Sequence, residues 1–541
     1  MCPQHKAAVS ASPSRDASPG FNSRTVMMAE GAFQITVPKA PETFAAAFGA
    51  WLIYLAYLAI YRLYVSPLAG FPGPKLAALT RWYEAYYEIV LLGQFSRKID
   101  ELHDTYGPII RVAPDEIHIR DSSFFEKAYG QNTRLDKPGW ENKFGMKDVT
   151  FTTLEHTLHR ERRGALSQMF SRRMALNFEP VIRQCVERLC ERISEFVESS
   201  QPLVISDVYP CLSGDVVMQY ALGFGYNQLD SPKFDSFHGA FQSMGASGHV
   251  TSQFPWFLPL INALPDRWIE RMQPALANLL KLKKDLLDLT GRIVRGEEPL
   301  EKNLSRPTIF QQILQSDLPP QEKSHYRLAG EAQSVMGGGI ESPAHALTVA
   351  TFHIVNTPHI SQRLRSELVK AFPDINVSPT LLELEKLPYL KACIQESLRL
   401  SYGLSARNPR SQDQHLQYGK WTIPARTTVA MTIVDVHHDG KIFPDSHSFI
   451  PERWLDDPLA PDGTPLERYL VAFGRGSRSC LGINLAWAEL YCTMGLVFRQ
   501  FDFKLYETDV SDVKLQHDFF VPRAKLDSKG VRVFVSKTKV S

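Results

Sequence analysis

The stretch Phe473-Gly-Arg-Gly-Ser-Arg-Ser-Cys480-Leu-Gly482 constrains this chain more than any other feature. Glycines at 474, 476 and 482 let backbone N–H groups come close to a single atom. A helical sequence, INLAWAELYCTMGLVFRQF, follows at once, and its N-terminal dipole adds positive potential. Both effects favour a thiolate at Cys480, and a thiolate in such a loop is a ligand for a soft or borderline metal. The alternative for a lone cysteine is a small buried hydrophobe, and Cys2, Cys185, Cys190, Cys211, Cys393 and Cys492 are read that way. No CxxC pair occurs, so neither a zinc ribbon nor a thioredoxin-type site is supported. A disulfide scaffold does not fit either, and a reducing, cytosol-facing location does.

What surrounds this loop is a long chain of ordinary composition. Of 541 residues, 44% are apolar and 22% charged, which excludes a disordered chain and a polytopic membrane protein. The net charge of +2 leaves no global field to recruit nucleic acid. Residues 1–42 are rich in Ala, Ser and Pro and read as a mobile tail. Thr43 to Tyr61 carries no charge over nineteen residues, and as a helix spans ~28 Å, about one hydrocarbon core. A single transmembrane anchor is assigned to 43–64. A signal peptide would need a basic segment next to the apolar run and a small-residue cleavage site, whereas Arg62-Leu-Tyr-Val follows here. Phe71-Pro-Gly-Pro-Lys75 makes 65–80 a stiff Pro-rich turn. Residues 81–541 read as one unit. Helical period appears over 156–170, 180–198, 274–296, 325–357, 360–371 and 383–400, with short strands at 109–112, 116–119, 421–423, 428–432 and 531–535. The class is mainly α, an α-rich α+β chain with small sheets. No GxGxxG opens a helix after a strand and no GxxxxGK[ST] is present, so nucleotide binding lacks support.

Three further constellations lie on these elements. Glu396 and Arg399, at i and i+3, share a helix face, and Arg453 follows in Pro-Glu-Arg-Trp454. Alone, such a pair is a common surface feature. Ser334–Leu347 reads SVMGGGIESPAHAL, either a Gly-rich loop between helices or a distorted helix. His159 and Arg163 stand one helical turn apart and offer two donors suited to carboxylates, or else form part of a solvated basic helix.

Taken together, these residues resemble the cytochrome P450 family. The Cys480 loop matches F-x-x-G-x-R-x-C-x-G throughout; Glu396, Arg399 and Arg453 occupy the positions of the buried triad; and Gly338-Gly-Ile-Glu341-Ser342-Pro343 resembles [A/G]-G-x-[D/E]-T-T. GPKLAALTRWYEAYY, YGPIIRVAPDEIHI and LRLSYGLSARNPR are similar to fungal membrane-bound P450s of secondary metabolism, the trichodiene oxygenase group in particular. The resemblance implies a single haem domain holding haem b (iron protoporphyrin IX), with Cys480 as axial iron ligand. Phe473, Arg478, Gly482, His159, Arg163 and Arg410 are the implied cofactor-binding residues, and Glu341 and Ser342 the implied proton relay. Ser342 stands where the family has Thr, and Pro343 replaces a second hydroxyl residue. Proline removes an N–H and crowds the Gly339 carbonyl, so a kink that enforces the oxygen groove is expected at 336–346.

The implied reaction is monooxygenation of a lipophilic small molecule, such as a terpenoid or polyketide intermediate. The implied partners are an NADPH-cytochrome P450 reductase and a membrane, with the catalytic domain on the cytosolic side of the endoplasmic reticulum. Arg160, Arg162, Arg172, Arg173 and Arg475 form the expected basic face for an acidic electron donor. Phe144, Phe151, Phe241, Met244, Phe254, Met336, Ile340, Leu404, Phe519 and Phe520 are the expected pocket lining. Two rivals are a reductase-independent isomerase, dehydratase or peroxygenase of the same fold, which Ser342-Pro343 keeps open, and a non-enzymatic haem or lipid binder.

Overall fold

The computed structural model describes residues 40–538, apart from 132, 142, 147, 198, 273–276 and 298–306. Residues 1–39 of the expected tail lie outside the described residues. The chain divides into a short N-terminal unit ending at Leu58 and a body from Ala59 onward. Helix α1, Ala40–Ile60, fills the described part of the first unit. The apolar stretch Thr43–Val65 is long and apolar enough to cross a membrane, and none of it is buried.

In the body, the Pro-rich turn is fastened to the first strand. Arg111 N–H donates to Pro72 O at 2.7 Å, and the Arg111 guanidinium donates to Arg62 O at 2.7 Å. Gly73 is required there: its φ is +147°, and a Cβ would meet Arg111 O at 2.5 Å.

The core is helical. It is built from α2 (His156–Ser167), α3 (Arg172–Ser194), α4 (Ile205–Leu222), α5 (His238–Gln253), α6 (His325–Asn356), α7 (Pro388–Ser401) and α8 (Ile483–Gln500). Apolar side chains of α3, α4, α6, α7 and α8 share one cluster. Helix α4 had no sequence signal because it is buried nearly all round, so it lacks the polar face that makes a period visible. Helix α3 begins eight residues before Pro180, where sequence periodicity placed its start. Ala175 and Phe178 are buried in the core, and that packing carries the helix through the proline. Strands are short. Ile109–Ala113 pairs antiparallel with Glu116–Ile119, which pairs parallel with Thr428–Ala430; Arg532–Lys537 bridges Leu203–Val204 and Phe501–Leu505. The architecture is mainly α with small sheets, as the sequence predicts.

Candidate functional site

The Cys480 loop is held open by backbone geometry. Gly474 and Gly476 have φ of +66° and +68°, and a side chain at 476 would strike the Tyr129 carbonyl. Cys480 N–H donates to Phe473 O at 2.8 Å, closing the loop, and α8 starts three residues on. The Phe473 ring lies 6.3 Å from that of Trp487 on α8. Among the six described cysteines, Cys480 alone is exposed. Although the residue is open to solvent on one side, the dense protein around the loop partly desolvates the thiol and raises its pKa, while the Gly482 N–H and the Arg163 charge pull it down. Arg163 also donates to Ser479 O at 2.8 Å, so α2 and the loop are tied together beside the sulfur. A metal at Sγ would reverse the balance in favour of thiolate.

Behind the loop lies a fully buried acid. Glu396 accepts from Arg399 Nη2 and Nε, both at 2.8 Å, from Arg453 Nε at 3.0 Å, from Trp454 Nε1 at 2.9 Å and from Ile450 N–H at 2.9 Å. Arg399 turns its remaining donors to the carbonyls of His437, Ser446 and Ser448. Burial alone would raise the Glu396 carboxyl, but Arg399, Arg453 and the Ile450 N–H hold it below the usual carboxylate range. The i, i+3 pair is therefore not a surface pair. It fixes α7 to the 437–454 segment.

A cluster of cations faces the region between α2 and the loop. Arg478 donates to the carbonyls of Thr153 and Leu154 at 2.6 and 2.8 Å, and Arg410 to that of Pro409 at 2.8 Å. The Nε atoms of both are buried without a partner. His159 and Lys137 are buried beside them. Burial and the neighbouring Arg478, Lys137 and Arg163 push His159 down to about 2; burial and Arg410 push Arg478 down to about 9; burial pushes Arg410 down to about 10. Lys137, 4.2 Å from the Trp140 ring centre and 4.1 Å from that of Phe151, is held well below its ordinary value by burial, Arg410 and Arg478. Packed cations with unmet donors are the arrangement that two cofactor carboxylates would complete, so the residues present fit haem. No sequence signal marked Lys137: it is a lone lysine in a loop, and only folding brings it to the arginines.

Arg162 is a correction. It does not belong to a basic face. It is 4% exposed and forms a bidentate pair with Glu322, which also accepts from Arg327, while Arg327 pairs with Glu331. A helix that turns one side inward must bury some of a run of basic residues, and the run HRERR did not say which. Arg160, Arg172 and Arg173 are exposed, and Arg172 is paired with Glu385.

Helix α6 carries the Gly-rich segment, which is helical and not a loop. The three glycines differ. A Cβ at 337 would press on Phe241 and one at 339 on Val217 of α4, while 338 faces open space. Ser342 Oγ donates to Gly338 O at 3.0 Å. The helix runs unbroken through Pro343, so the kink expected at 336–346 does not appear as a break. Glu341 is buried, with Oε1 at 2.7 Å from His238 Nδ1.

The expected pocket residues separate into groups. Phe144, Phe151, Met244 and Phe520 meet in one cluster, joined by Trp140 at 5.0 Å from Phe520. Phe241, Met336 and Ile340 belong to the main core, Leu404 packs on a second core around Ile117 and Val429, and Phe254 lies 5.5 Å from the Trp82 ring, tilted to it, near the surface. Phe519 lies 6.1 Å from the His249 ring.

Comparison with known proteins bears on the same residues. The cytochrome P450 family profile matches residues 81–529. The cytochrome P450 monooxygenase sdnE of Sordaria araneosa is 41% identical over 90% of this chain and 96% of its own length. The tryptophan 6-hydroxylase fscE of Fusarium equiseti is 39% identical over 89% of this chain and 94% of its own. The N-acetyltryptophan 6-hydroxylase ivoC of Emericella nidulans is 35% identical over 90% and 96%.

Proposed function

This chain belongs to the cytochrome P450 family and is a monooxygenase of that family; from that premise we propose how its own residues serve the reaction. Cys480 would hold the haem iron as a thiolate, supported by its exposure in a closed loop, its Gly482 N–H and the Arg163 charge. Haem b, when bound, supplies dioxygen activation and oxygen transfer to the substrate. Arg478, Arg410, His159 and Lys137 would hold its carboxylates, and Arg163 braces the Cys loop through Ser479, with its charge beside the sulfur. Glu396, Arg399 and Arg453 keep the 437–454 segment, and through it the Cys loop, in place. Glu341 and Ser342 hold the protons the reaction consumes, Ser342 bonded to the Gly338 carbonyl and Glu341 buried against His238.

The observation that carries this reading is the cluster of buried cations with unmet donors on one side of an exposed cysteine. The test is the absorbance of the reduced, carbon monoxide-treated protein. A red-shifted Soret band is expected for the wild type, and its loss for Cys480→Ser. A band unchanged in Cys480→Ser would refute the ligand assignment.

The substrate is a lipophilic small molecule, such as a terpenoid or polyketide intermediate of secondary metabolism, held against the Phe144, Phe151, Phe520 and Met244 cluster. A second reading, an indole, is favoured by the two relatives named as tryptophan and N-acetyltryptophan hydroxylases and by the flat aromatic faces of the same cluster. Spectral titration with N-acetyltryptophan separates the two. Electrons come from an NADPH-cytochrome P450 reductase docking near the exposed Arg160, Arg172 and Arg173. Membrane attachment, single-pass in the endoplasmic reticulum with a cytosolic body, is supported by the unburied Thr43–Val65 stretch. Exposed Trp82, Tyr86, Trp256 and Leu260 on the body support it further.

A further inference from the structure

A buried acid that spends protons needs a route by which they are replaced. We propose that His238 is that route: it takes protons from water at the surface end of α5 and passes them to Glu341. This rests on the reading of Glu341 as a proton relay, and His238 acts on the reaction only through that acid.

Three observations carry it. Glu341 is 7% exposed, and its Oε1 lies 2.7 Å from His238 Nδ1. The other ring nitrogen of His238, Nε2, lies 2.5 Å from the side-chain amide of Gln242, one helical turn along α5. A neutral ring with its proton on Nδ1 satisfies both contacts, donating to Glu341 and accepting from Gln242. The His238 side chain is 22% exposed, whereas that of Glu341 is 9%. The ring thus spans the boundary between the acid and water.

The step is a simple proton transfer. A proton from water adds at Nε2 as the Gln242 amide turns its oxygen toward the ring. The Nδ1 proton then passes to Glu341 Oε1. The ring is again neutral, now protonated on Nε2, and exchange with water restores the starting tautomer. One proton has moved from solvent to carboxylate, and no electrons have moved.

Charged groups on three elements stand near the pair: Asp207 on α4 and His345 on α6 are within electrostatic reach of His238, Asp235 reaches Asp207, and Arg523 of the 517–523 hairpin reaches Glu341. His345, one turn beyond Glu341 on α6, is no competing route: burial pushes it down to about 4, and its Nε2 is buried without a partner.

The test uses the full chain with a P450 reductase and no added substrate, reading NADPH oxidation in H2O and D2O across pH. His238→Ala and Glu341→Gln should each slow it about tenfold and enlarge the solvent isotope effect, with no further loss in the double variant. His238→Gln keeps a donor for Glu341 but cannot relay, and should be as slow as His238→Ala. A His238→Gln variant with wild-type rate would overturn the proposal, leaving only a hydrogen bond that holds the acid. Normal His238→Ala with slow Glu341→Gln would overturn the role of His238 alone. Normal Glu341→Gln would overturn the reading beneath it. The reduced carbon monoxide spectrum checks that each variant is folded. Independently of turnover, diethyl pyrocarbonate should label His238 in the wild type and spare His345, read by mass spectrometry; an unlabelled His238 would overturn the route to water.

Discussion

Glu396→Gln tests whether the buried acid behind the Cys loop holds the fold together. The substitution keeps the shape and one oxygen. With that oxygen at the Oε1 position, Arg399 Nη2, Arg453 Nε and Ile450 N–H keep an acceptor, while the amide nitrogen faces Arg399 Nε and Trp454 Nε1, two donors at 2.8 and 2.9 Å. The charge opposite two guanidinium groups is lost, and Arg399 and Glu396 are both 0% exposed. Breaking a buried pair in this way costs about 3–5 kcal/mol, a large share of the ~5–15 kcal/mol that separates folded from unfolded protein. Denaturant unfolding followed by tryptophan fluorescence reads the difference. The exposed Arg426–Asp413 pair, also at 3.0 Å, is the control, and Asp413→Asn should leave the midpoint unchanged. Because the Glu396 carboxyl is held below its unfolded value, its contribution is fully present above pH ~4.3 and is lost as pH falls through the lower folded value. The gap between wild type and Glu396→Gln should therefore be flat from pH 7 to 5 and narrow below pH ~4.3. A gap under ~1 kcal/mol at pH 7, or one that does not narrow in acid, would refute the reasoning.

Four other substitutions separate the roles assigned above. Lys137→Met should act with opposite signs: it removes a desolvated ammonium and stabilises the cofactor-free chain by about 1–3 kcal/mol, yet weakens haem retention about tenfold, as measured by transfer to apomyoglobin. In the cofactor-free wild type, the depressed Lys137 value makes stability rise with pH toward ~10.4. Ser342→Ala removes the hydroxyl bonded to Gly338 O and should raise the fraction of NADPH electrons released as hydrogen peroxide, read with a peroxidase-coupled dye. Gly339→Ala should cost about 1–3 kcal/mol of stability by forcing α6 away from Val217, while Gly338→Ala should leave the unfolding midpoint in place.

Much of this was legible in the sequence, for identifiable reasons. The Cys480 loop declared itself because its chemistry needs fixed residue types at fixed spacing within ten positions. Helices with one polar face were visible for the same kind of reason, periodicity being a local property. What escaped depends on contacts between distant segments. Helix α4, surrounded by protein, has no polar face to betray it. Lys137 acquires its meaning from Arg410 and Arg478, more than 270 residues away. Arg162 looked like a solvated cation until Glu322 met it in the interior. His238 had no motif at all, and its importance comes from the register of α5 against α6.

The three consecutive glycines of α6 divide two demands that usually compete. Positions 337 and 339 are committed to holding neighbouring elements close, and change there is paid in folding. A side chain at position 338 would meet no neighbour. Single substitutions at 338 can therefore fill open space on α6 while the scaffold stays fixed, which makes this one residue a natural starting point for reshaping that side of the helix in the laboratory.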